Sequence, residues 1–198
     1  MHPALRIAFA VLLFPSFAAH ADSPASNGRR IVEISKFNEL AGIFNLGQGA
    51  VRIVSIVSPT CKSCVDALNA LDEIMQSIPG KRLRSYVVFV PMMDEDDRFA
   101  AVIAAGAHDD PRTTFFWDPA VTTGNAWKEL VGISTPAWDV YFLYDTDATF
   151  DDGPNMPETW MHQHSAIAGP EFDSSRLKVE TRALLASFEQ RQSIPESE

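Results

Sequence analysis

The run "AVRIVSIVS", residues 50–58, is β-branched and almost continuously apolar. A strand with one wet face alternates apolar and polar residues, whereas a strand buried on both faces does not. The spacing therefore predicts a central strand covered by helices on both sides. Immediately after it comes "SPTCKSC" (58–64), and then Val65, Leu68, Leu71, Ile74, Met75 and Ile78 recur on one helical face. Pro79-Gly80 ends that helix. A second apolar run, "LRSYVVFVPMM" (83–93), reads as another buried strand. A strand, a helix and a strand in this order commit the chain to an α/β sheet.

The rest of the chain continues the pattern. "RIVEIS" (30–35) reads as a short strand, and "FNELAGIFN" (37–45) as a helix stopped by Gly47 and Gly49. "DEDDRFAAVIAAG" (94–106) reads as a helix with acids in its first turn, where they suit the macrodipole. "TTFFWD" (113–118) is a strand, and "PAVTTGNAWKELVG" (119–132) a helix closed by Gly132. "AWDVYFLYD" (137–145) is a strand, "TWMHQHSAI" (159–167) alternates and pairs with it, and "SSRLKVETRALLASFEQRQ" (174–192) is a C-terminal amphipathic helix. The expected domain spans residues 30–192, between flexible segments at 22–29 and 193–198.

Cys61 and Cys64 are the only cysteines among 198 residues. That is too few for a disulfide scaffold, and leaves a structural disulfide, part of a metal site or a redox pair. The compartment decides between them. Arg6, the apolar stretch from Ile7 to Ala18 and the triplet Ala19-His20-Ala21 make a secretory signal peptide over residues 1–21. The apolar stretch is shorter than the roughly 20 residues of a membrane span. The expectation is a periplasmic or secreted protein with no stable membrane anchor after cleavage near Ala21, in a compartment where disulfides persist. A net charge of −10 argues against sequence-independent binding to nucleic acid.

"IVSIVSPTCKSC" with its following helix, and "GISTPAWDVYFLY" further on, resemble the thioredoxin superfamily. The long stretch between "VVFVPMM" and "STPAW" is similar to the periplasmic TlpA-like and peroxiredoxin-like branch. The resemblance implies a thioredoxin-like fold, with a central mixed sheet, helices on both faces and an insertion before the strand that faces the CxxC. It also implies that a cis-proline begins that strand. Pro136, preceded by Thr135, occupies the place, and the backbone of both would meet a partner's cysteine.

A CxxC that opens a helix puts Cys61 at the helix N-terminus, where free N–H groups and the dipole stabilise a thiolate. Thr60 is the expected helix cap, and Lys62 adds positive charge beside the sulfur. Cys64 lies one turn away, within reach of a short reducible disulfide. Cys61 is then the nucleophile that forms a mixed disulfide with a protein thiol or disulfide substrate, and Cys64 the resolving thiol. A redox partner would complete the cycle, and no cofactor is required. So short a loop gives a purely structural disulfide little to stabilise.

The chain departs from the family pattern at specific positions. Many thioredoxin-like reductases carry a buried acid six residues before the first cysteine, and here that residue is Ser55. Thr60 stands where tryptophan is usual, and Lys62-Ser63 replaces Gly-Pro, so the direction of electron flow stays open. Val54 and Ser58 replace the Pro and Thr of the peroxiredoxin pattern. An alternative is metal binding: His162 and His164 share a strand face and, with Cys61 and Cys64, would make a copper or zinc set. Sco-type copper chaperones share the fold, but space their cysteines C-x-x-x-C.

Overall fold

The computed structural model describes residues 31–193. The expected signal peptide lies outside the described residues. Six strands, β1 (Ile31–Glu33), β2 (Val51–Val57), β3 (Leu83–Phe89), β4 (Thr113–Trp117), β5 (Val140–Tyr144) and β6 (Thr159–His162), form one sheet in the order β1-β4-β3-β2-β5-β6. Neighbours from β1 to β2 run parallel, while β5 is antiparallel to both β2 and β6. The helices are α1 (Phe37–Asn45), α2 (Lys62–Ser77), α3 (Arg98–Gly106), α4 (Thr122–Trp127) and α5 (Ser174–Ser193). This is the α/β sheet that the element order implies, and its mixed strand directions match the thioredoxin-like fold that the resemblance implies.

Side-chain parity along the central strand divides the core in two. Val51, Ile53 and Val57 of β2 pack with Leu68, Leu71 and Met75 of α2 and with Leu177 of α5. Val54 and Ile56 face the other side, with Leu40 and Phe44 of α1 and Trp127 of α4. Every residue of β2 is buried, as its continuous apolar character requires. Each such Val or Ile contributes about 1.5–3 kcal/mol by leaving water. Ser55 shares the parity of the α2 face, and its hydroxyl is buried without a hydrogen-bond partner among the described residues.

Four expectations are corrected. The segment at 94–106 becomes helical only at Arg98, because Asp97 caps it by accepting from the Ala100 N–H at 2.7 Å. The segment at 119–132 keeps a helix only over Thr122–Trp127, bounded by left-handed backbone at Val121 (φ 53°) and Gly132 (φ 75°). The strand at 137–145 begins at Val140, because Asp139 just before it is also left-handed (φ 54°). The Thr135–Pro136 bond is trans, not cis, and Pro136 does not open the strand. Residues 136–137 lie instead on α4, where the Ala137 N–H donates to the Gly124 carbonyl at 2.9 Å. A Cβ at Gly124 would come within 2.9 Å of the Ala137 oxygen, so glycine is what permits the close approach.

Candidate active site

The site lies where β2 ends and α2 begins, the edge of a parallel sheet at which ligands and chemistry collect. Cys61 is the residue that caps α2. Its backbone is extended, and its Sγ accepts the Cys64 N–H at 3.4 Å. Both cysteines are free thiols. Cys61 is 8 % exposed and Cys64 is sealed, at 0 %. One sulfur thus stands at the helix entrance, and the other lies a turn further in.

Thr60 does not cap the helix, because its groups are engaged elsewhere. Its N–H (3.1 Å) and hydroxyl (2.7 Å) both donate to Asp96 Oδ1, and Ser58 Oγ donates to the same oxygen at 3.0 Å. Asp96 Oδ2 accepts from the Met92 and Met93 N–H groups. The loop carrying Cys61 is thus tied to the loop after β3 through one carboxylate. Lys62 does not turn to the sulfur. Its ammonium pairs with Asp66 at 2.5 Å on the open surface of α2.

The charge that does reach the cysteines is negative. Asp139 is 3 % exposed, and its carboxylate and the two sulfurs lie within 4.8 Å of one another. Ser63 Oγ donates to Asp139 Oδ2 at 3.1 Å and lies 3.1 Å from Cys61 Sγ, bridging acid and nucleophile. Tyr141 Oη donates to Oδ1 at 2.8 Å. The Gln163 amide nitrogen, in the orientation that satisfies both amide atoms, lies 3.1 Å from Oδ1 and 3.1 Å from the Ser63 carbonyl. Burial, with the Asp139 charge added to it, pushes the Cys64 thiol far above the ordinary thiol range. The same two causes raise the Tyr141 phenol.

The structure brings Cys61 and Cys64 together but does not gather the two histidines with them. Among the described residues, the one cluster of metal-type donors at the site is Cys61, Cys64 and Asp139. His162 is 5 % exposed at the end of β6, and neither ring nitrogen has a hydrogen-bond partner among the described residues. His164 lies beyond the strand, edge-on to Trp138 with ring centroids 5.0 Å apart. Thr135 is exposed and Pro136 half-buried, on the segment leading to Asp139.

Asp139, Ser63, Gln163 and Asp96 are site residues that the sequence reading missed. Asp139 had a signal: it is the one charged residue inside the otherwise apolar run "AWDVYFLY". Asp96 had none, since "DEDD" before a helix is what a solvated helix start looks like.

No family model matches the chain, and no curated protein matches it. Solved structures do. A thioredoxin-like protein in its oxidised form is 16 % identical, with 70 % of this chain and 79 % of that chain covered and a TM-score of 0.49. A secreted Mycobacterium tuberculosis disulfide oxidoreductase homologous to the Escherichia coli protein DsbE is 14 % identical, covering 71 % and 86 %, with a TM-score of 0.46. A thiol-disulfide isomerase from Corynebacterium glutamicum is 13 % identical, covering 72 % and 85 %, with a TM-score of 0.44.

Proposed function

We propose that this chain is a thiol–disulfide oxidoreductase that exchanges disulfides with protein substrates through Cys61 and Cys64. One observation carries the reading: Cys61 Sγ sits at the N-cap of α2, with Cys64 buried one turn behind it. There its sulfur accepts the Cys64 N–H of the first helical turn. A partner disulfide meets Cys61 first, because Cys64 has no exposure. Attack makes a mixed disulfide, and Cys64 then displaces the partner by closing the short Cys61–Cys64 bond. In this reading exposed Thr60, beside Cys61, together with exposed Thr135 and half-buried Pro136, is the surface that a partner chain meets.

The signal-like N-terminus, Arg6 through Ala21, supports work in a periplasmic or extracellular compartment. Among the described residues no helix is long and apolar enough to cross a membrane.

Two variants test the reading. Cys61→Ser abolishes exchange with a protein disulfide, and Cys64→Ser leaves stable mixed disulfides that can be isolated. A Cys61→Ser protein that still reduces or oxidises the substrate would sink the proposal.

A further inference from the structure

Building on that reading, we infer that Asp139 accepts the Cys64 proton when Cys64 resolves the mixed disulfide at Cys61. The resolving thiol must lose a proton to attack, yet Cys64 is fully enclosed, so bulk water does not reach it. The groups around it are few. α2 offers Cys61 and the neutral Ser63 hydroxyl. On the strands, β2 offers Ser55, a hydroxyl with no partner among the described residues, and β5 offers Tyr141, whose O–H stays protonated and donates a hydrogen bond to Asp139. The segment after β6 offers the neutral Gln163 amide. The Lys62 ammonium is turned away to Asp66. Asp139 is the base in this set, in the same 4.8 Å cluster as both sulfurs.

The carboxylate is also held to this task. Ser63, Tyr141 and Gln163 fix its two oxygens from three elements. Its backbone sits at φ 54°, a conformation that non-glycine residues avoid and that aspartate and asparagine tolerate best. Such strain persists where surrounding contacts over-determine it. Ser55 leaves β2 without an acid, and Asp139, just before β5, brings one to the sulfurs.

The exchange balances as follows. Cys61 thiolate attacks one sulfur of a protein disulfide, a Cys61–partner disulfide forms, and the partner's other sulfur leaves as thiolate. The Cys64 S–H bond then breaks, its proton passes to an Asp139 oxygen, and the electron pair on Cys64 Sγ attacks Cys61 Sγ. The Cys61–Cys64 disulfide forms, and the partner's remaining sulfur leaves as thiolate and takes a proton from Asp139 or water. Two electrons have moved from the cysteine pair to the partner.

The test is stoichiometric reaction of the reduced full-length protein with a small aromatic disulfide whose leaving thiolate is coloured. The first coloured equivalent reports attack by Cys61, and the second reports resolution by Cys64. Asp139→Asn keeps the side-chain shape and suits the left-handed backbone. It should slow the second release about 100-fold at neutral pH, the scale of a lost general base. The first release should stay the same or quicken, because a negative charge beside Cys61 is gone. The second release should also become steeply dependent on pH in the variant, as hydroxide replaces the carboxylate. A second release at the wild-type rate, or both steps slowed alike with the pH profile unmoved, overturns the inference. Should Asp139→Asn not fold, Ser63→Ala decides: it frees one anchor of the carboxylate, and an unchanged second release overturns the inference. A wild-type protein that releases one equivalent and never a second overturns the redox-pair reading itself, and this inference with it.

Discussion

Thr60 donates to a single oxygen of Asp96 through both its backbone N–H and its hydroxyl, at 3.1 and 2.7 Å. Ser58 adds a third donor to that oxygen, and Ser58 Oγ in turn accepts the Cys61 N–H at 3.2 Å. A half-buried carboxylate two elements away thus sets the backbone from which the nucleophile projects. Asp96→Ala leaves the Thr60, Met92 and Met93 N–H groups without their acceptor. The expected loss is about 2 kcal/mol, the scale of donors left unpaired. Urea denaturation gives the number, and a loss below about 0.5 kcal/mol, the level of an ordinary surface change, would contradict the role assigned to Asp96.

Stability should fall in alkali, and between about pH 8.5 and 10 it should fall through Cys64 only in the reduced protein. The Cys64 pKa is raised in the folded state, by burial first and by Asp139 second. A thiol raised on folding contributes full stability below its unfolded pKa, near 8.5. Above that pH the unfolded chain loses a proton that the native protein keeps, so stability drops by up to about 1.4 kcal/mol per pH unit. The buried phenols of Tyr141 and Tyr144, also raised, add to the fall only above about pH 10. Urea midpoints of reduced and oxidised protein should therefore separate between about pH 8.5 and 10. Parallel curves over that window would show that Cys64 ionises as freely folded as unfolded.

Gly124→Ala should destabilise, against the usual sign for a helix. Alanine ordinarily gains about 1 kcal/mol over glycine in a helix interior. Here the new Cβ meets the Ala137 carbonyl at 2.9 Å and the Pro136 Cβ at 3.0 Å. Backbone cannot yield as a side-chain tip can, so a net cost of about 1–3 kcal/mol is expected. A raised Tm in this variant would show that the 136–137 segment does not rest on α4.

His162→Leu should leave stability unchanged or raise it. The imidazole is 5 % exposed, and no described residue hydrogen-bonds either nitrogen. Removing it costs no hydrogen bond and spares the burial of a polar ring, worth about 1–3 kcal/mol. A ligand role would read differently: reduced protein would retain copper or zinc and lose it in this variant. A large fall in unfolding free energy without any metal would mean that the ring has a partner not among the described residues.

Several features of this protein were legible before any coordinates. The apolar continuity of 50–58 required burial on both faces, and β2 is buried at every residue. The spacing from Val65 to Ile78 required one apolar helix face, and α2 turns Leu68, Leu71, Ile74 and Met75 to the core. Period and hydrophobicity act locally, so they survive in a linear reading. The placement of Cys61 at a helix entrance followed from the same logic.

What only the tertiary structure decided is the set of groups around the sulfurs. Thr60 looked like a cap, but a carboxylate from beyond β3 claims it. Pro136 looked like the facing wall, yet the strand starts four residues later, and Asp139, just before it, is the residue that meets the sulfurs. His162 and His164 looked paired, but the strand ends at the first of them. Each of these outcomes turns on which donor or acceptor arrives from a distant segment, and on where a backbone turns left-handed. Sequence determined the sheet, the helix and which thiol stands at the helix entrance, because hydrophobic period is a property of neighbours. Folding alone determined the charge they face, because a carboxylate 75 residues beyond Cys64 has no local trace of the thiol it will meet.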